Sequence, residues 1–290
     1  MPELPEVETT VKILQIKVLN RTFIDVWTNS PPLIKRPQSF LDFKSQIKGR
    51  KILNIERKGK NIIFTLSDNL AMLVHQKMTG HLLYGKWKEE KGKWISQVEG
   101  PLKSDPQNRF LHVIFFLDNG YQMALSDLRK FAKVELYKQA ELGEASTLKN
   151  LGQDALKISL AIFIERIKSQ KGKIKQVLMD QEVVAGIGNI YSDEILFEAK
   201  INPQAVSKEL KQSQIKAIYK AMQSILKIAI KQGGTSFSDF RNPDGEKGNF
   251  GSIAKVYRKF GQKCPRCKTK INRIKIGGRS AHFCPKCQKI

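Results

Sequence analysis

The chain opens Met1-Pro2-Glu3-Leu4-Pro5-Glu6-Val7-Glu8, and apolar residues then recur at Val7, Val11, Leu14 and Val18. That three-to-four spacing predicts an amphipathic helix with one buried face, started by Pro5 in its first turn and favoured by Glu6 and Glu8 at its positive end. A helix start accounts for the carboxylates and leaves Pro2 without a purpose. If Met1 is removed, Pro2 becomes a free secondary amine. A terminal amine has a pKa of about 7.7–8.0 against roughly 10.4 for Lys, so part of it is unprotonated at neutral pH. Beside the carboxylic acid of Glu3, such an amine can attack the anomeric carbon of a sugar and form an iminium.

Outward from this helix the period changes. Ile52-Leu53-Asn54-Ile55, Ile62-Ile63-Phe64-Thr65-Leu66, the run 70–74 and the run 113–117 are short, β-branched or aromatic stretches that read as strands. Gly59 and Asp118-Asn119-Gly120 supply hairpin turns, so the first part of the chain reads as an antiparallel sandwich or barrel. Residues 86–108 are charged and poor in aliphatic side chains, and are expected to form a long surface loop. Beyond residue 136 a polar connection holds Gly143 and Glu144, and the runs 158–167, 174–179, 192–198 and 210–231 have helical spacing or composition. Gly233-Gly234 then opens a polar, Gly-rich stretch through Phe250 whose composition suggests a mobile lid. The expected organisation is a catalytic domain over 1–136, a linker over 137–150, a helical domain with the lid over 151–250 and a cysteine module over 251–290.

Fifty-one Lys and Arg against 27 Asp and Glu leave a formal charge of +24, which favours a polyanionic partner, nucleic acid first. No apolar stretch approaches the roughly 20 residues of a membrane span and the N-terminus lacks a signal peptide's apolar core, so an intracellular protein without a membrane partner is expected. The four cysteines, Cys264, Cys267, Cys284 and Cys287, form two C-x2-C pairs separated by sixteen residues. This spacing suits tetrahedral zinc, and four thiolates leave no open position, so the ion would be structural. Two disulfides are the alternative, disfavoured where thiols stay reduced.

Three motifs occur together and in one order: the opening Pro2-Glu3-Leu4-Pro5-Glu6-Val7-Glu8, the segment Ala185-Gly186-Ile187-Gly188-Asn189-Ile190-Tyr191, and the four-cysteine tail. With them the chain resembles, over nearly its full length, the formamidopyrimidine-DNA glycosylases of bacterial base-excision repair. The resemblance implies an α+β fold: an N-terminal antiparallel β-sandwich with a terminal helix, a helical helix–two-turns–helix domain, and a zinc-ribbon β-hairpin holding one Zn2+. It implies a monomeric DNA glycosylase and abasic-site lyase, acting on damaged double-stranded DNA in the bacterial cytoplasm and removing 8-oxoguanine and formamidopyrimidines.

By position, the resemblance makes Pro2 the nucleophile that forms the Schiff base and Glu3 the acid–base partner that protonates the sugar's ring oxygen. Glu6 would order the pocket, and Lys60, in Arg57-Lys58-Gly59-Lys60-Asn61, would lie near the lesion's phosphate. Arg57 and Lys58 are expected to be solvated hairpin charges. Met78, in His75-Gln76-Lys77-Met78-Thr79-Gly80, would fill the void left by the everted nucleotide, with Arg129 facing the orphaned base and Phe131 wedging beside it. This second loop has Leu128, Lys130 and Ala132 where the family more usually has Pro, Arg and Gly. Asn189 would receive a phosphate at a helix start, and Lys175, Tyr257 and Arg279 would bind the DNA backbone. Gln176 stands where a Pro is commoner, and Arg258-Lys259-Phe260 departs from the usual Gly-Arg-Lys order. Two rivals stay open: an endonuclease VIII-like enzyme for oxidised pyrimidines, and a zinc-ribbon DNA-binding protein without chemistry.

Overall fold

Val7, Val11, Leu14 and Val18 are all buried, as their spacing requires, along one side of helix α1 (Leu4–Val18). The computed structural model describes residues 1–237 and 239–289. The chain divides into two compact units, Met1–Lys149 with Gln232–Gly251, and Asn150–Lys231 with Ser252–Ile290.

In the first unit α1 is followed by β1 (Phe23–Thr28), β2 (Ile34–Arg36), α2 (Phe40–Ile47), β3 (Ile52–Lys58), β4 (Asn61–Leu66), β5 (Leu70–His75) and β6 (His81–Gly85). After these come β7 (Trp87–Glu90), β8 (Lys93–Ser96), α3 (Pro101–Ser104), β9 (Leu111–Leu117), β10 (Gln122–Ser126) and β11 (Lys133–Lys138). One sheet has the order β1-β9-β10-β6 and the other β2-β11-β5-β4-β3, antiparallel throughout except for β2 beside β11. Alternate residues of both sheets (Phe23, Val26, Leu82, Val113, Phe115, Met123 and Leu125 from one; Ile55, Ile62, Phe64, Met72, Val74 and Val134 from the other) meet in one core with the apolar face of α1. A sandwich is therefore the outcome, with Gly59 in the β3–β4 turn and Gly120 between β9 and β10, both at positive φ.

Residues 86–108 correct the expectation of a surface loop. They hold the β7–β8 hairpin and α3, and Trp87 and Leu102 are buried. The cause lies in the first sheet, whose opposite residues Leu83, Ile114 and Ala124 point away from the main core and need cover. Trp87, Leu102 and the partly buried Trp94 supply it, with Trp94 edge-on to Trp27 at 5.3 Å.

Residues 232–251 cluster with this first unit, whereas the sequence had kept them with the helices. Their Gly-rich composition serves attachment. The Tyr84 N–H donates to the Pro243 carbonyl at 2.8 Å, Asn108 Nδ2 donates to the Gly245 carbonyl at 3.0 Å, and Arg241 pairs with Asp105 at 2.8 Å. Thr235 and Asn249 form an isolated antiparallel bridge that closes the segment on itself. Ser238, inside the expected lid, lies outside the described residues.

The second unit contains α4 (Leu160–Lys168), α5 (Ile174–Met179), α6 (Asn189–Glu198), α7 (Gln212–Lys231) and the hairpin of β12 (Asn272–Ile276) and β13 (Arg279–Phe283). The helices lie within a few residues of the expected runs. Val256, Ile271, Cys264 and Cys284 bury against Phe197 at the end of α6, so the cysteine module is packed on the helical layer.

Candidate active site

Pro2 is buried, and Glu3 and Glu6 expose only 2% and 1% of their surface. What holds them is Glu6. One of its oxygens accepts from the Glu3 N–H at 2.7 Å and the other from the Thr235 N–H at 2.7 Å, so a single carboxylate fastens the chain terminus to the Gly-rich segment. Gly234 permits this approach. Its φ is +78°, and a Cβ there would sit 2.8 Å from Glu6 Oε1. Glu6 is therefore buried and hydrogen-bonded on both oxygens, and is not a solvent-facing helix-start carboxylate.

Lys60 is buried, 6% exposed, in the two-residue turn between β3 and β4. Arg57 fixes that turn against α1: its guanidinium donates to Glu8 Oε2 at 2.7 Å and to the Gly59 carbonyl at 3.0 Å. The expectation of a solvated charge fails for Arg57, whose side chain is 4% exposed, and holds for Lys58, which is exposed. The terminal amine, carried by Met1, is held below its ordinary pKa, mainly by burial, with Lys60 acting in the same direction and Glu3, Glu6 and Asp239 pulling it back up. Amine, acid and lysine therefore share one electrostatic environment. Asp239 is a member that sequence reading missed, since one carboxylate in a polar loop carries no signal. His75 pairs with Asn61 across β4 and β5, and burial together with Lys77, Lys60 and Lys133 pushes its pKa down to about 3.

Met78 is half-buried, while Arg129 and Phe131 are exposed, the Arg129 guanidinium lying 4.6 Å over the Phe131 ring. Asp127, for which the sequence offered no role, lies fully buried beneath them.

In the second unit Gly186 has φ +107° and α6 begins at Asn189, so the expected turn and helix start are present. Asn189 Oδ1 is buried without a protein partner among the described residues. Lys175 is corrected: it is fully buried, and its ammonium donates to Asp193 Oδ1 at 2.5 Å and to Ser192 Oγ at 3.1 Å. It braces α5 against α6 and presents no charge to a phosphate. Asp193 also accepts from the His282 N–H at 2.9 Å and lies 3.0 Å from His282 Nδ1. Glu194 accepts from the N–H groups of Lys255, Val256 and Tyr257 at 2.8–2.9 Å, while its burial raises its pKa. These two carboxylates fasten the chain around Tyr257 and β13 to α6. The consecutive apolar residues Ile195, Leu196 and Phe197 marked α6 as buried all round, which is the signal that could have exposed them. Tyr257 is half-buried with its ring edge-on to His282 at 5.2 Å, and Arg279 is exposed at the start of β13, after the Gly277-Gly278 turn.

The four cysteine sulfurs lie within 4.8 Å of one another, with Cys267 to Cys284 at 3.4 Å and Cys264 to Cys287 at 4.0 Å. Sulfurs about 2.3 Å from a zinc ion in a tetrahedron lie about 3.8 Å apart, so the set fits one structural zinc. No helix among the described residues is long and apolar enough to cross a membrane.

Family models for the formamidopyrimidine-DNA glycosylase N-terminal domain, its H2TH domain, and the zinc finger found in FPG and IleRS match residues 1–134, 151–241 and 261–290. The formamidopyrimidine-DNA glycosylases of Pelotomaculum thermopropionicum and Crocosphaera subtropica are 36% and 38% identical, covering 100% of this chain and 100% and 99% of their own. A Lactococcus lactis FPG mutant in complex with Fapy-dG-containing DNA superposes with TM-score 0.87 at 30% identity over the full length of both chains. MutM in complex with DNA containing carbocyclic 8-oxo-G gives TM-score 0.86 at 30% identity, again with 100% of both chains covered.

Proposed function

Since this chain belongs to the formamidopyrimidine-DNA glycosylase family, we propose that its Pro2 nitrogen, freed by loss of Met1, is the nucleophile of a bifunctional glycosylase and abasic-site lyase that removes 8-oxoguanine and formamidopyrimidines. The observation that carries this reading is the burial of Pro2 and Glu3 inside the fold, at a terminus where burial already lowers the pKa of the Met1 amine. A buried amine is less protonated at neutral pH, which is what a nucleophile requires. The relatives solved with Fapy-dG and with 8-oxo-G DNA support the choice of oxidised purines.

The target nucleotide must leave the stack, because a protein terminus cannot reach an anomeric carbon inside a duplex. Pro2 attacks C1′ and the damaged base departs, the proton released from the newly bonded nitrogen balancing the one the base takes up. Glu3 protonates the ring oxygen, so the sugar opens and the bond to Pro2 becomes an iminium. The iminium acidifies the C2′ hydrogen; loss of that proton expels the 3′ phosphate, and a second elimination expels the 5′ phosphate. Glu6 keeps the amine in place, and Lys60 supplies positive charge beside the sugar's phosphate. Met78, Arg129 and Phe131 occupy the emptied position in the stack, Arg129 facing the remaining base. Asn189 at the start of α6, together with Tyr257 and Arg279, contacts backbone phosphates. Cys264, Cys267, Cys284 and Cys287 hold one structural zinc, which fixes the hairpin bearing Arg279 and takes no part in the chemistry. The enzyme works as a monomer in the bacterial cytoplasm on the DNA of the nucleoid.

Base release from duplexes containing 8-oxoguanine or thymine glycol tests the reading. Faster release of 8-oxoguanine is expected. Faster release of thymine glycol would favour the endonuclease VIII-like alternative.

A further inference from the structure

Met78 and Arg129 lie on different connections, and the sheet register brings those connections together. Residues 76–80 lead from β5 in one sheet to β6 in the other, and residues 127–132 lead from β10 to β11. β5 pairs with β11 and β6 with β10, His75 facing Lys133 at one mouth and His81 facing Ser126 at the other. Two short crossovers therefore run side by side along one edge of the sandwich.

Between them sits Asp127, whose carboxylate directs its hydrogen bonds into the two crossovers. Its Oδ2 accepts from the Phe131 N–H at 2.7 Å and the Ala132 N–H at 2.8 Å. Its Oδ1 accepts from the Arg129 N–H at 3.2 Å and from the Thr79 hydroxyl. Thr79 Oγ1 in turn accepts from the Arg129 N–H at 3.1 Å, so that amide is shared between two oxygens that are themselves bonded. Lys77 and Lys130 are held at φ +52° and +56°, a conformation that a non-glycine residue keeps only where its surroundings impose it. At the base, a Cβ on Gly80 would lie 3.1 Å from that of Ala132, so the two crossovers touch there as well.

We propose that Asp127 and Thr79 are positioning residues that clip the Met78 crossover to the Arg129–Phe131 crossover, making them a single rigid reader of the base opposite the lesion. This rests on the reading of Met78, Arg129 and Phe131 as the groups that enter the duplex. The energetic logic is one of preorganisation. Exposed side chains on independent loops would have to be ordered during insertion, whereas a buried carboxylate with backbone donors on both its oxygens fixes the loop before DNA arrives. Among the described residues, Thr79 supplies the bonded group from the other crossover, so its hydroxyl is the polar link between the two, beside the Gly80–Ala132 contact at the base.

The test compares Thr79→Val, which deletes the hydroxyl and keeps the shape, with Thr79→Ser, which keeps the hydroxyl. The readouts are the ratio of kcat/KM for 8-oxoguanine opposite cytosine to that opposite adenine, cleavage of a preformed abasic site, and 2-aminopurine fluorescence beside the lesion. Thr79→Val should lower the discrimination ratio about tenfold, the loss expected for one hydrogen bond to a charged acceptor. It should slow the 2-aminopurine change and leave abasic-site cleavage within about twofold. Thr79→Ser should restore the parent ratio. Thr79→Ala carries the same expectation should the valine variant not fold. Arg129→Ala separates the two levels of the argument. If it abolishes discrimination while Thr79→Val and Thr79→Ala do not alter it, the clip is refuted and the reader stands. If Arg129→Ala itself leaves discrimination unchanged, the reader reading fails and the clip with it.

Discussion

Replacing Glu6 by Gln removes one carboxylate oxygen from a position where two backbone N–H groups, those of Glu3 and Thr235, each approach to 2.7 Å. The amide can keep one of these bonds; its NH2 must then face the other N–H, donor against donor. A lost bond to a charged acceptor costs about 1.5–3 kcal/mol, which at about 1.4 kcal/mol per factor of ten is roughly 10- to 150-fold in the population of the positioned terminus. The assay is the single-turnover rate of borohydride trapping on a lesion duplex, with duplex affinity measured alongside. Glu6→Gln should slow trapping by that factor while affinity stays within about threefold, because no phosphate contact is lost. A trapping rate within about twofold of the parent would refute the claim that Glu6 positions the amine.

Other outcomes follow from the same structure. Burial holds His81 down to about pKa 4 and His75 to about 3, both below an unfolded value of about 6.5. Each favours the folded state fully above pH ~6.5 and loses that contribution as pH falls towards its folded value, by up to about 1.4 kcal/mol per pH unit. Denaturant titrations between pH 7 and 4 should show the decline, weaker in His81→Asn; a flat profile counts against neutral buried imidazoles. Lys175→Met should strand Asp193 in the interior and cost about 3–5 kcal/mol of stability. An unchanged unfolding midpoint together with weakened duplex binding would instead restore Lys175 to the phosphate contacts. Stripping the zinc should release the Arg279 hairpin, lowering duplex affinity and reducing the salt slope by about one. Metal-free protein with parent affinity would contradict that placement.

The helices were legible because Val7 to Val18 carry a three-to-four period and the runs in the second unit have helical spacing or composition. The zinc site was legible because its ligands come in two close pairs. Residues 86–108 misled because Trp87 and Trp94 stand among charges, and their burial depends on a sheet face formed by Leu83, Ile114 and Ala124 elsewhere in the chain. The same reason hid Asp127, Asp193 and Glu194. Each looks like an ordinary surface carboxylate, and most of their partners are backbone N–H groups, many far away in sequence; the apolar run Ile195 to Phe197 signals that Asp193 and Glu194 are buried and leaves their partners unnamed. Lys175 failed in the opposite direction, since a basic residue near a phosphate-binding turn reads as a ligand until the carboxylate that neutralises it is seen. Arg57 reads as a solvated hairpin charge for the same reason as the carboxylates, its partner Glu8 lying far off in sequence on the opening helix.

The central claim, that the amine at the processed start of the chain does the chemistry, is tested most directly by mass mapping of the borohydride-reduced protein–DNA adduct. The sugar remnant should be found on the N-terminal peptide, bonded to Pro2 and with Met1 absent. A remnant on Lys60 or any other lysine, or an adduct formed with Met1 still in place, would contradict it.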